Sequence, residues 1–239
     1  MNSITAPQHL RNRFGIWRYS SVELLIVILV LIIATPFMDE YGFGKILESV
    51  LLTIVLISGL FAVGGRRSVL AAGLIMLTPA VIGKWMHHFF PHLLPPTIFQ
   101  FFGLIFIGFV IWNILHYILK SNRVDAEVLC ASIAVYLLIG LLWAMAYMLI
   151  DNITPNSFLF SSLPENERSM STFNAFFFSF STLSSVGFGD VTPCSKVARM
   201  LSVMETVTGI LYVAILISRL VASYSPKTKQ THSSDSKHK

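Results

Sequence analysis

Long runs of Leu, Ile, Val and Phe, separated by short polar or glycine-bearing gaps, set the plan of this 239-residue chain. Six runs stand out, at 22–38, 46–63, 68–83, 97–119, 127–150 and 196–222. A helix needs about 20 apolar residues to cross a ~30 Å hydrocarbon core, so the pattern predicts six transmembrane helices. The third run, at sixteen residues, barely crosses. Asp39, Glu40 and Lys45 fall in the first gap, and Gly64-Gly65-Arg66-Arg67 reads as a tight turn. Residues 84–92, with Trp85, His87, His88, Phe89, Phe90, Pro91 and His92, read as an aromatic, histidine-rich interfacial loop. Residues 151–170 read as a polar loop holding Asp151, Asn152, Glu165, Glu167 and Arg168, and a short aromatic, helix-like run over 171–181 follows it.

The fold class expected is therefore an all-α membrane protein with a re-entrant segment between its fifth and sixth spans. Residues 1–20 read as a basic N-terminal segment, with Trp17 and Tyr19 where an interfacial aromatic belt would lie. The Ser-, Lys- and His-rich tail over 224–239 reads as disordered. The first apolar run is too long for a cleavable signal and lacks a small-residue cleavage site, which makes it a retained anchor.

Composition agrees: 54% of residues are hydrophobic and 12% charged, which excludes an ordinary soluble domain. A net charge of +5 would suit nucleic acid, but the cations sit at the edges of apolar runs. They orient the chain instead. Of the 17 Lys and Arg, twelve fall on the side of the two termini and five on the other. The positive-inside bias then places both termini in the cytoplasm of a cell (inner) membrane protein. Cys130 and Cys194 are far apart in sequence and read as free thiols. No catalytic constellation, phosphate loop or cofactor motif occurs, so neither an enzyme nor a nucleic-acid binder is expected.

Chemistry concentrates in Thr182-Leu183-Ser184-Ser185-Val186-Gly187-Phe188-Gly189-Asp190. A Gly-X-Gly pair admits backbone conformations that a Cβ hinders, so consecutive carbonyls can point one way. Such a row of oxygens can replace the water around a monovalent cation. The stretch resembles the potassium-channel signature Thr-X-Thr-Thr-Val-Gly-Tyr-Gly-Asp, the filter that is itself the standard illustration of this principle. The resemblance implies that carbonyls of Ser185, Val186, Gly187, Phe188 and Gly189 form a K+ selectivity filter, with no other metal or cofactor. It also implies that Asp190 lies at the outer mouth, where four carboxylates would concentrate cations.

Residues 174–182 resemble the family's pore helix, whose C-terminal dipole end favours a cation. Thr182 closes that helix, Phe177 and Phe178 stand where the family often has tryptophans, and Ser181 stands where a carboxylate is common. Phe188 lacks the hydroxyl of the family's Tyr. The filter brace is therefore expected to be apolar packing rather than hydrogen bonding. Gly209 lies nineteen residues beyond Asp190, the family's interval to a gating hinge; close helix packing is the alternative. By the same register Thr206, Ile210, Val213 and Ile217 face the cavity. Glu205, an acid inside the last span, either supports the filter from behind, faces the cavity or simply fixes packing.

The last two spans, over 125–223, resemble bacterial two-helix pore domains, through runs such as Val135–Ala144 and Arg199–Glu205. The domains expected are a peripheral four-helix unit over 21–123 and a pore domain over 124–223. The peripheral unit has no counterpart in the resemblance. Its fourth span carries no Lys or Arg, whereas a voltage sensor moves several charges worth ~2.3 kcal/mol each per 100 mV. Steep voltage gating is not expected. One filter segment cannot encircle an ion, so the resemblance implies a homotetramer in the lipid bilayer. It implies a potassium-selective channel, with a weakly selective Na+/K+ channel or a non-conducting subunit as alternatives. Histidines 87, 88 and 92 admit zinc binding or pH sensing beside the interfacial role.

Overall fold

In hydrocarbon each backbone N–H and C=O must find its partner within the segment, so every apolar run closes into a helix. The computed structural model describes residues 17–38, 44–63, 67–89, 96–121, 125–161 and 168–224. These form α1 (Trp17–Met38), α2 (Gly44–Val63), α3 (Arg67–Phe89), α4 (Pro96–Lys120) and α5 (Ala126–Ile153). β1 (Phe158–Phe160), α6 (Thr172–Leu183), β2 (Val191–Pro193) and α7 (Lys196–Tyr224) follow. Five of the helices, α2 to α5 and α7, are long and apolar enough to cross a membrane; the apolar part of α1, Ser21–Phe37, is shorter. The chain is an all-α, multi-pass integral membrane protein with a short helix, α6, between its last two spans.

Two expectations need correction. The third span is not a marginal sixteen residues: α3 runs for 23 and carries Lys84, Trp85, His87 and His88 on the helix rather than in a loop. Its added turns are held from the side. Lys84 Nζ lies 2.9 Å from Glu48 Oε1 on α2, and Trp85 Nε1 donates to Thr53 Oγ1 at 3.3 Å. Segment 151–170 is not all loop either. α5 continues to Ile153, and Phe158–Phe160 pairs antiparallel with Val191–Pro193, Leu159 opposite Thr192. Asp39, Glu40, Gly64–Arg66, Phe90–His92, Glu165 and Glu167 lie outside the described residues, as do 1–16 and 225–239.

α5 is the hub of the fold. α1, α4, α6 and α7 all pack against it, so α1 and α4 of the first four helices lean directly on a helix of the C-terminal half of their own chain. Asp125 caps it, its carboxylate accepting from Val128 N at 3.2 Å. One continuous core runs from Leu24, Ile28 and Leu31 of α1 through Phe106 and Val110 of α4 to Val135, Leu138 and Tyr147 of α5. By contrast α7 is thinly covered. Val203, Val207, Leu211, Ile215 and Val221 stand exposed along with Ile210, Val213 and Ile217.

Candidate functional site

α6 starts at Thr172, two residues earlier than the 174 expected, because Ser171 caps it by accepting from Asn174 N at 3.2 Å. The helix ends where its last carbonyls are taken up by the chain beyond. Ser184 N bonds to Phe180 O, Ser185 N to Thr182 O, and both Val186 N (2.9 Å) and Gly187 N (3.2 Å) converge on Ser181 O. Ser181 therefore serves through its carbonyl, while its hydroxyl donates to Phe178 O at 2.9 Å.

Beyond the helix, positive φ angles recur at every second residue: 61° at Ser185, 59° at Gly187 and 86° at Gly189. Alternating hands turn successive N–H groups to one side and carbonyls to the other. Here the N–H groups of residues 185–187 face the end of α6. Among the described residues no hydrogen bond ends on a carbonyl of residues 185–189. Residues 185–189 are neither helical nor buried: Val186 is 56% and Phe188 65% exposed. Backbone of this kind is tolerated at membrane depth only inside protein or along a wet cavity.

Residues 128–225 match the family described as an ion channel. Over this stretch the chain is similar to that family. The match covers under half of the chain, and it takes in α6, the 184–190 loop and α7 together with nearly all of α5. The activity of this family is ion passage rather than catalysis. A comparison with curated proteins finds no match.

Within the matched stretch the far end of the loop is pinned by the β-ribbon. Ser161 N donates to Asp190 O at 2.9 Å and Cys194 N to Ser157 O at 2.7 Å. Asp190 thus sits at the junction of loop and ribbon. The ribbon was not anticipated, since three residues of alternating apolar pattern are too few to read as a strand.

The side of α6 toward the loop is apolar, as expected. Phe177 stacks on Phe188 with ring centroids 5.4 Å apart and planes 18° apart. Phe178 points the other way, edge-on to Tyr147 at 4.8 Å and Phe158 at 5.5 Å. The rear of α6, however, is hydrogen-bonded, which corrects the expectation of a purely apolar brace. Glu205, with no exposed surface, accepts from Ser179 Oγ and from Tyr147 Oη, both at 2.5 Å. Ser179 Oγ also lies 2.7 Å from Gly140 O, so α5, α6 and α7 meet at one polar knot. Glu205 faces the support side, not open space. Sequence reading missed Tyr147 and Ser179. The only cue was the acid at 205, which, buried in hydrocarbon, demands donors from whatever packs beside it.

Gly209 packs directly on Leu183: a Cβ placed there would collide with the Leu183 carbonyl oxygen. Close approach of α7 to the end of α6 is reason enough for glycine. Thr206, expected in the cavity, is half-buried, and its hydroxyl lies 3.3 Å from Thr182 O and 3.0 Å from Ser202 O. Ile210, Val213 and Ile217 are exposed. Near the opposite end, Tyr212 Oη donates to Ser132 O and Arg219 Nη2 to Ser121 O, both at 2.7 Å. These tie the distal half of α7 to α5 and to the end of α4. Cys130 and Cys194 are both free. No cluster of metal-binding side chains occurs among the described residues.

Proposed function

We propose that four copies of this chain assemble around one axis and conduct K+ passively through oxygen rings built from Ser185, Val186, Gly187, Phe188 and Gly189. The observation that carries this reading is the backbone of that stretch. The N–H groups of residues 185–187 are held by α6 and, among the described residues, no hydrogen bond ends on a carbonyl of 185–189, leaving a row of oxygens free to take the place of water around a cation. A single copy leaves the row exposed on one side, and the apolar faces of α7 are exposed with it. A ring of copies removes both exposures at once. Ile210, Val213 and Ile217 would line the lower pore, and Asp190 would form a ring of carboxylates at the mouth.

The charge bias along the chain supports a filter mouth outside the cell and termini within. Cys194, exposed beside the mouth, gives the handle for checking this, because a membrane-impermeant thiol reagent added outside should label it.

The deciding experiment is ion flux from purified protein in liposomes, with reversal potentials in K+ against Na+. Flux with strong K+ preference is expected. A second reading, weak Na+/K+ selectivity, has support in Phe188, whose ring is steadied by stacking on Phe177 without the hydroxyl that would fix it to the pore helix. A reversal potential near zero in a K+/Na+ gradient would favour it. Absence of any flux would reduce the chain to a non-conducting subunit.

A further inference from the structure

At the filter end of the bundle a cleft of about 480 Å³ lies between the peripheral helices and the channel domain. Its lining changes character with depth. The rim is polar: Glu48 of α2 pairs with Lys84 of α3, and Asn152 Nδ2 of α5 donates to Gln100 Oε1 of α4 at 3.0 Å. All four residues sit within five positions of a helix end, where polar side chains of spanning helices reach water. Below them the wall is apolar, down to Leu56 and Met145. Leu56 lies two turns below Glu48, about 12 Å at 1.5 Å per residue. That depth is most of one leaflet of a ~30 Å core.

We infer that this cleft holds one phospholipid of the surrounding bilayer, with a zwitterionic headgroup at the rim and an acyl chain along the apolar wall. The volume suits one acyl chain rather than the whole lipid, and the lining fits the class, mostly apolar with a few placed polar groups. The rim selects the head. Lys84 and Glu48 form one cation and one anion 2.9 Å apart. A phosphate on Lys84 together with an ammonium on Glu48 keeps a counter-charge on every group. An anionic head would set its charge against Glu48, and a cationic one against Lys84. Ser171 and Thr172, the cap and first residue of α6, also line the cleft, so the bound lipid would touch the helix that carries the filter loop.

The test is chemical mapping, which does not depend on conduction. Full-length protein is reconstituted with phosphatidylethanolamine carrying a photoreactive diazirine in its chain, irradiated and digested. Adducts should concentrate on the segments holding Leu52, Leu56 and Met148, above the level on the exposed outer residue Trp112. Leu56→Trp, and separately Ala80→Phe, should fill the cleft and lower that labelling by about tenfold, the loss expected for one well-placed contact set, while Trp112 adducts stay constant. Adducts spread evenly over exposed apolar residues, or unchanged in both filled variants, would overturn the site. A phosphatidylglycerol probe with the same chain should label the cleft weakly. Equal labelling by the two heads would overturn the zwitterionic assignment.

Discussion

Glu205 on α7 and Ser179 on α6 share a 2.5 Å hydrogen bond, and neither residue has any exposed surface. Tyr147 brings α5 to the same carboxyl group. Three helices are thus registered at one point directly behind the 184–190 loop. Glu205→Ala strands the Tyr147 hydroxyl, at roughly 1–3 kcal/mol, and opens a void, while Ser179 Oγ keeps Gly140 O as its acceptor. A lower thermal unfolding midpoint together with reduced flux is expected, and Glu205→Gln should recover much of both because it can still accept. An Ala variant with wild-type stability and flux would remove the knot from the account.

The meeting of Gly209 with the Leu183 carbonyl leads to a second expectation. Gly209→Ala should lower stability by about 1–3 kcal/mol, the usual cost of overpacking, as α7 is pushed from α6. Thermal unfolding beside single-channel recording separates the two roles of this glycine. Unchanged stability with altered open probability would favour the hinge over the packing role.

Stacking of Phe188 on Phe177 is worth about 0.5–1.5 kcal/mol beyond the area it buries. Phe188→Leu should therefore loosen the loop and shift the K+/Na+ reversal potential toward zero. Phe188→Tyr keeps the ring and should hold or sharpen selectivity. If Leu and Tyr variants conduct alike, the stack has no part in ion choice.

Positive φ at Gly187 means that Gly187→Ala adds roughly 1–2 kcal/mol of backbone strain per copy, and the strain falls on the carbonyl row itself. Flux should be lost while the protein still assembles, as judged by its elution as an oligomer. Ser185, also at positive φ, bears such strain already, so Ser185→Gly should raise the unfolding midpoint. A fall instead would show that its side chain contributes more than its backbone costs.

α4 bears no Lys or Arg before Lys120, in its last turn. Conductance should therefore vary little with voltage. A steep conductance–voltage curve in a planar bilayer would require charge movement elsewhere in the chain.

Much of this architecture is written in one dimension. Hydrocarbon forces each apolar run into a helix, so six spans follow from run lengths, and Gly187 and Gly189 mark where the chain leaves helical geometry. The boundary of α3 was not legible, because Lys84 and Trp85 are polar or amphipathic in sequence and only Glu48 and Thr53 on the neighbouring helix make their place in it favourable. The same holds for the knot at Glu205. A sequence states that an acid lies in the last span; which way it faces depends on how α7 rotates against α5 and α6, a matter of packing between residues 26 and 58 positions apart. Local spacing determines what a segment becomes, since backbone hydrogen bonds close within it. Tertiary structure decides which polar groups meet, since a buried donor or acceptor is satisfied only by a partner that another segment brings.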